Sequence, residues 1–424
     1  PQESYLEIPM PTLNDFDKWL TTDEVAAVTS QQLLEPVEAG GVIFPPTFAA
    51  EEGEKGGYNI DLFGAGYRAT IDYTPPKQPA ITTDVQYETG KNVCLIDSVG
   101  AEANRIEPVF RPDKCQGRYA DLVPQVIIKA GARTVNLLDA GHRAGDAIVR
   151  FTKFGETVFE AFKALNMTNN AEPLAKCAPT SLVFGVWDSR GTQEKVPRAF
   201  RSVIRAYNVV PLKRSAQYNR ATKYVEYGLV PEELDKGSGD SNPLSREGFK
   251  DNPATGSHGG VLVGGDIRRD MTINLSAIRR LRVPSETDPA KDDTERTLKL
   301  RRYILGLALV AATARSEDKY NLREGCQLRQ KRGHKPAWIE VRFEGDDTEL
   351  ASLTEESAAA YASEAAQDFV VEKFEPFNFD PKTAEKWLKL DKKQQDKLRR
   401  DKPMTKQFTE DASEDETQAE SPKS

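Results

Sequence analysis

Arginine is well suited to holding a phosphodiester, because its planar fork of donors meets two oxygens at once and its charge persists at any working pH. Between Arg190 and Lys223 stand nine basic residues (Arg190, Lys195, Arg198, Arg201, Arg205, Lys213, Arg214, Arg220 and Lys223) against one acid, Glu194. That stretch is charged +8 in a chain of net charge −8, so the other residues carry −16. Much of this sits in Glu344–Glu356, with six acids and no base, and in Glu410–Ser424, with six acids and Lys423. The average argues against a polyanionic partner. The segregation argues for one, held at a single site by a chain that stays soluble elsewhere.

Catalytic chemistry is hard to find. His142, His258 and His334 lie far apart and form no two-histidine helical pair with a glutamate, so no standard zinc site is written locally. There is no Gly-x-Ser-x-Gly elbow and no Gly-Lys-Ser/Thr phosphate loop. Gly64, Gly66 and Ala69 match a dinucleotide fingerprint by letter, but Thr70–Pro76 reads as a strand and a Pro turn where the fingerprint needs a helix. Gly259–Gly265 reads as hairpin and bulge glycines. Asp97 and Asp139 are the loop acids that could hold a metal ion for phosphodiester cleavage, although acids at strand ends more often cap or pair. Cys94, Cys115, Cys177 and Cys326 have no paired spacing, which predicts free thiols in a reducing, cytoplasmic compartment. The first 20 residues lack the basic flank and apolar run of a leader, and the greasiest run, Ile304–Ala314, is too short to span a bilayer. No cofactor, metal ligand or catalytic residue is therefore assigned.

Elements must position the cations. With 29% charged and 38% apolar residues, the chain should fold with sizeable solvated loops. The spacing predicts a capped helix over Asp23–Leu34, then Gly- and Pro-rich loops with short strands to about residue 90. Asn92–Asp97 reads as a buried strand passing into a short helix or turn through Glu107. Pro124–Lys129 and Arg133–Leu138 read as a hairpin, and Ser181–Trp187 as a strand. Thr192–Tyr207 predicts an amphipathic helix, with Val196, Phe200, Val203 and Tyr207 on one face and Arg198, Arg201 and Arg205 on another. Asp235–Gly260 has the composition of a mobile loop, Gly260–Leu275 that of a hairpin, and Leu298–Arg315 that of the main core helix, along Leu300, Ile304, Leu307 and Ala311. Trp338–Phe343 should be a strand. After it come an acidic linker, a Lys-rich helix over Lys382–Arg400 and a disordered tail, so that 1–345 and 346–424 are expected as separate parts.

Four groups recur in a telling order. They are Asn104-Arg105-Ile106-Glu107; His142-Arg143; Phe184-Gly185-Val186-Trp187 followed by Arg190 and Arg198; and Gly259-Gly260-Val261 through Ile267-Arg268-Arg269 to Asn274-Leu275. From about Val93 to Arg329 the chain resembles the type I-G (formerly I-U) members of the RAMP-type CRISPR backbone proteins, the Cas-seven group. The resemblance implies an α+β fold with a ferredoxin-like, RRM-related palm, inserted finger and thumb elements, and a C-terminal appendage, with 235–260 the candidate thumb. It implies a non-catalytic subunit whose copies polymerise along a guide RNA (crRNA) in a Cascade complex. Target DNA pairs with the exposed guide, and a large subunit and a fused five/six-type RAMP subunit complete the assembly. The residues expected on RNA are Asn104, Arg105, His142, Arg143, Arg190, Arg198, Arg201, Arg205, Arg268 and Arg269. Such a subunit should grip phosphate and 2′-OH groups and leave base edges to pairing. A metal-dependent RNA-cutting subunit of the same scaffold, using a loop acid as in the type III relatives, is the alternative. A nucleotide enzyme built on Gly64-Ala65-Gly66 is a third reading that the charge clustering opposes.

Overall fold

The structure is a computed structural model, and it describes residues 12–38, 40–48, 56–61, 69–73, 81–86, 92–315, 320–398 and 403–406. Gly64, Gly66 and the tail beyond 406 lie outside the described residues; Ala69–Tyr73 is a strand, as the failed dinucleotide reading requires.

An eight-stranded antiparallel sheet organises the chain. Its strands are β1 (Val25–Pro36), β2 (Val93–Asp97), β3 (Phe200–Tyr207), β6 (Ile267–Asn274) and β7 (Trp338–Arg342), with Ile60–Asp61, Leu328–Gln330 and Thr348–Glu349 at the margins. Across the sheet the order is Thr348–Glu349, β7, β1, β6, β3, β2, Ile60–Asp61, and Leu328–Gln330 also pairs with β1. Between β3 and β6 the chain makes β4 (Val209–Tyr218) and β5 (Asn252–Val263), which pair with each other.

Two expected helices are strands. In place of the helix expected over 23–34, Val25 onward forms β1, in which Val28, Ser30, Gln32 and Leu34 are buried in alternation. The polar Ser30 and Gln32 hide that period of two from a hydrophobicity reading. Pairing with β6 on one side and β7 on the other satisfies the backbone, and β-branched Val25, Val28 and Thr29 suit the pleat. Residues 192–207 give a short strand, Lys195–Val196, and then β3, where Phe200, Ser202, Ile204 and Ala206 face the interior. Pro197 cannot donate within a helix, and β2 and β6 flank β3 on both sides. Conversely, most of the expected strand Ser181–Trp187 is a buried helix, α3 (Thr180–Phe184), with only Val186–Trp187 extended.

The expected hairpin over Gly260–Leu275 does not form. β3–β4 and β5–β6 are instead two long arms of one ribbon. Phe200 pairs with Ile273 at the sheet end, Val209 with Val263 beyond the bend, and Tyr218 with Asn252 near the tip. Asn208 takes a left-handed φ of 54° at the bend, and an added Cβ on Gly265 would lie 2.7 Å from the Tyr207 carbonyl. The predicted loop 235–260 is thus loop and short helical turns at its start, but the second arm from Asn252 onward. β2 and the hairpin Ile127–Ala130/Arg133–Asn136 form as expected.

One face of the sheet is covered by helices α1 (Val99–Ile106), α3 and α4 (Thr294–Thr313), with α2 (Lys153–Thr168) in the same core. α4 is buried along almost its whole apolar length, as a core helix must be. Residues after 345 pack onto it: Thr348–Glu349 extends the sheet beside β7, and α5 (Glu355–Phe369) lays Ala358, Tyr361, Ala362, Ala365 and Phe369 into the cluster that holds α4. Gly306 makes the close approach possible, since a Cβ there would lie 2.8 Å from the Ala362 Cα. Far from an appendage, α5 completes the core. The Lys-rich segment is two helices, α6 (Pro381–Lys389) and α7 (Lys392–Leu398), with Trp387 in a small cluster with Phe151, Ala384 and Met404.

No disulfide joins the four cysteines, and burial pushes the Cys94, Cys177 and Cys326 thiols up to about 12. Among the described residues no helix is long and apolar enough to cross a membrane.

Candidate nucleic-acid interface

Strand alternation sorts the arginines. In β3, Arg201, Val203, Arg205 and Tyr207 point away from the helices, and the register places Thr272, Asp270 and Arg268 of β6 directly opposite the first three. β1 continues the same face with Thr29 beside Thr272, Gln31 beside Asp270 and Leu33 beside Arg268. Arg201 and Gln31 are exposed; Thr29, Arg205, Tyr207, Arg268, Asp270 and Thr272 keep partial access to solvent. The result is a sheet face carrying three guanidinium groups, with hydroxyls and an amide between them and the buried Val203 beneath.

Geometry fixes two of these arginines. The Arg268 guanidinium lies 4.5 Å from the centre of the Tyr207 ring and donates to its hydroxyl, while its Nε is 3.0 Å from an Asp270 oxygen. Arg205 Nη1 is 3.9 Å from Asp270. One carboxylate therefore faces two guanidiniums and leaves a net positive charge. Arg198, just ahead of β3, is exposed; burial of its stem first, then the neighbouring charges of Arg143 and Arg201, hold its pKa below the ordinary value. Lys213 and Arg214 continue the cationic run on β4, Arg214 lying 5.3 Å from the Phe44 ring centre.

The other expected contacts divide. Arg190 is exposed and its carbonyl accepts from Arg150. His142 is 75% exposed, 3.4 Å from Asp146. Asn104 is exposed and accepts from Arg143. Three arginines turn inward instead. Arg269 alternates to the helix side, is 1% exposed, and donates from Nε to Glu102 and to Ser202, both at 2.9 Å. Arg143, at a left-handed φ of 51°, is 5% exposed; its Nε lies 2.7 Å from Glu107, and its other nitrogens reach the Gly185 carbonyl and Asn104. Arg105, 17% exposed, pairs with Asp97 and Glu102. These are structural groups: a buried carboxylate must be paired, and the sequence marks Glu102 and Glu107 no differently from surface acids. Glu107 is pushed up to about 7 by burial, which outweighs Arg143 and a Thr180 hydrogen bond.

The loop acids are likewise engaged, Asp97 by Arg105 and Asp139 by Arg111 at 2.5 Å. Among the described residues no group of three or more His, Cys, Asp or Glu side chains could hold a metal ion. Tyr207, Gln31, Thr29 and Thr272 join the face only through the sheet; a period of two counted from Arg201 would have found Tyr207, whereas the β1 residues follow from long-range pairing alone.

No curated protein matches this chain. Residues 28–211 match the model of the family described as CRISPR-associated protein GSU0053, a Cas-seven type family. The match begins within β1, earlier than the expected resemblance, includes β2 and β3 with Arg198, Arg201 and Arg205, and ends just inside β4. The match spans less than half of the chain and supports a CRISPR-associated protein of the RAMP type.

Proposed function

We propose that the chain is a non-catalytic backbone subunit of a type I CRISPR surveillance complex, which holds guide RNA on the open face of its sheet. The observation that carries this reading is the set Arg201, Arg205 and Arg268 on adjacent strands of one sheet face, with helices α1, α3 and α4 packed on the other side. Arginine forks spaced along a pleated surface suit a phosphate backbone, and Thr29, Thr272 and Gln31 supply hydrogen-bonding groups suited to 2′-OH contacts. The order β7, β1, β6, β3, with every neighbour antiparallel, supports a ferredoxin-like palm: β1 and β3 run one way, β6 and β7 the other, and helices fill the connections β1–β3 and β6–β7.

The long ribbon β4–β5, with its cationic Lys213 and Arg214, is the candidate thumb, and copies side by side would present the guide for pairing with target DNA. The decisive experiment is purification of the protein from its natural host with bound nucleic acid, followed by sequencing. Repeat-derived guide RNA is expected; DNA, or RNA unrelated to CRISPR repeats, refutes the reading. Cleavage is tested by incubating the assembled protein with matched RNA and Mg²⁺, where regularly spaced cuts would favour the RNA-cutting alternative.

A further inference from the structure

Three of the four tryptophans, Trp19, Trp338 and Trp387, are buried, but Trp187 is 56% exposed. Its position follows from strand alternation. In the short ladder Val186–Trp187/Lys195–Val196, the valines are buried while Trp187 and Lys195, directly paired, face outward. The Lys195 ammonium lies 5.7 Å from the indole centre. The mount is rigid. The Asp188 carboxylate accepts from the Thr192 amide at 2.6 Å and its hydroxyl at 3.0 Å, and the Asp188 amide donates to the Glu194 carbonyl at 2.9 Å. On the other side the Trp187 carbonyl packs against Gly145, where an added Cβ would lie 3.1 Å away.

Cations surround this mount. Besides Lys195, Arg190 sits in the turn, and the Arg198 stem lies against Gly185, two residues before the indole. An indole held in place, left in water and flanked by lysine and arginine has the chemistry of a stacking platform for a nucleobase whose adjoining phosphates are held by the cations. We propose that Trp187 stacks on one nucleobase of the bound single-stranded RNA, with Lys195 and Arg198 on its flanking phosphates. The inference rests on the RNA-holding reading and adds to it a contact to a base. Every base has a π face, so such a contact leaves the guide sequence free.

The test titrates the full chain with oligouridine and with an abasic ribose-phosphate oligomer of the same length, following tryptophan fluorescence and affinity. Oligouridine should quench the parent strongly, and Trp187→Leu should abolish most of that quenching and weaken binding about 10-fold. Trp187→Phe should recover most of the affinity. The abasic oligomer should bind parent and Trp187→Leu equally. Parental affinity and quenching in Trp187→Leu, while arginine variants of the sheet face still lose RNA, would overturn the stacking contact and leave the RNA reading intact. Failure of the parent to bind either oligomer would overturn both. If Trp187→Leu only reduces self-association measured by sedimentation without RNA, the indole is a contact between copies and the proposal falls.

Discussion

Changing Arg201, Arg205 and Arg268 together to Ala removes three charges from one face of the sheet without touching its interior. Each arginine that neutralises a phosphate of a single strand contributes about 0.7 to the slope of log affinity against log salt, so three lost contacts should flatten it by about 2. Over a fourfold rise in salt, from about 50 to about 200 mM, the parent should then lose about 20-fold more affinity than the variant. Asp270 sharpens the test. It faces Arg205 at 3.9 Å and Arg268 at 3.0 Å and offsets part of their charge. Asp270→Asn should therefore bind RNA more tightly at low salt and show the steepest slope of the three proteins. Fluorescence anisotropy with several labelled single-stranded RNAs of unrelated sequence, each over a salt series, gives slope and sequence dependence together. Unchanged slope in the triple variant would mean the face meets protein or solvent. Weakening confined to some sequences would mean that these arginines read bases.

Arginines that the sheet turns inward should behave differently. Arg269→Ala leaves buried Glu102 with Arg105 as its one remaining guanidinium partner and strips a donor from Ser202, and should cost about 3 kcal/mol in urea unfolding; a stable variant would contradict the network. Glu107 gives a pH signature. Its folded pKa of about 7 exceeds the usual 4.5, so the folded state holds its proton longer and stability from this group is lost as pH rises from about 4.5 to about 7. Glu107→Gln should flatten that decline in thermal midpoint, and an identical pH profile in parent and variant would show that burial does not govern this carboxyl. Gly306→Val forces a side chain against the Ala362 backbone and should expose α5 to protease, with α5 remaining protected as the contrary outcome. The ribbon tip, residues 219–251, should be cleaved in free protein and protected in assembled complexes; equal cleavage in both would count against its role as a thumb.

The sequence by itself determined that one short basic stretch dominates an acidic chain and that α4 is the main core helix. Motif order also pointed to the RAMP-type CRISPR proteins, which the match over residues 28–211 supports. These properties are local or compositional: charge counts, a helical stripe long enough to be unambiguous, letters in series. Only the tertiary structure decided which arginines are available. Arg268 and Arg269 are neighbours in sequence, yet the pleat sends one to the open face and the other to Glu102. The helix expected at 192–207 failed for a related reason: Phe200, Val203 and Tyr207 fit a helical spacing, and the strand that β2 and β6 impose buries Ser202 instead of showing a clean apolar alternation. In β1 the buried Ser30 and Gln32 hide the strand period in the same way. Where polar residues are buried by partners distant in the chain, local periodicity misleads, because the backbone hydrogen bonds that choose strand over helix are made by residues the local sequence does not contain.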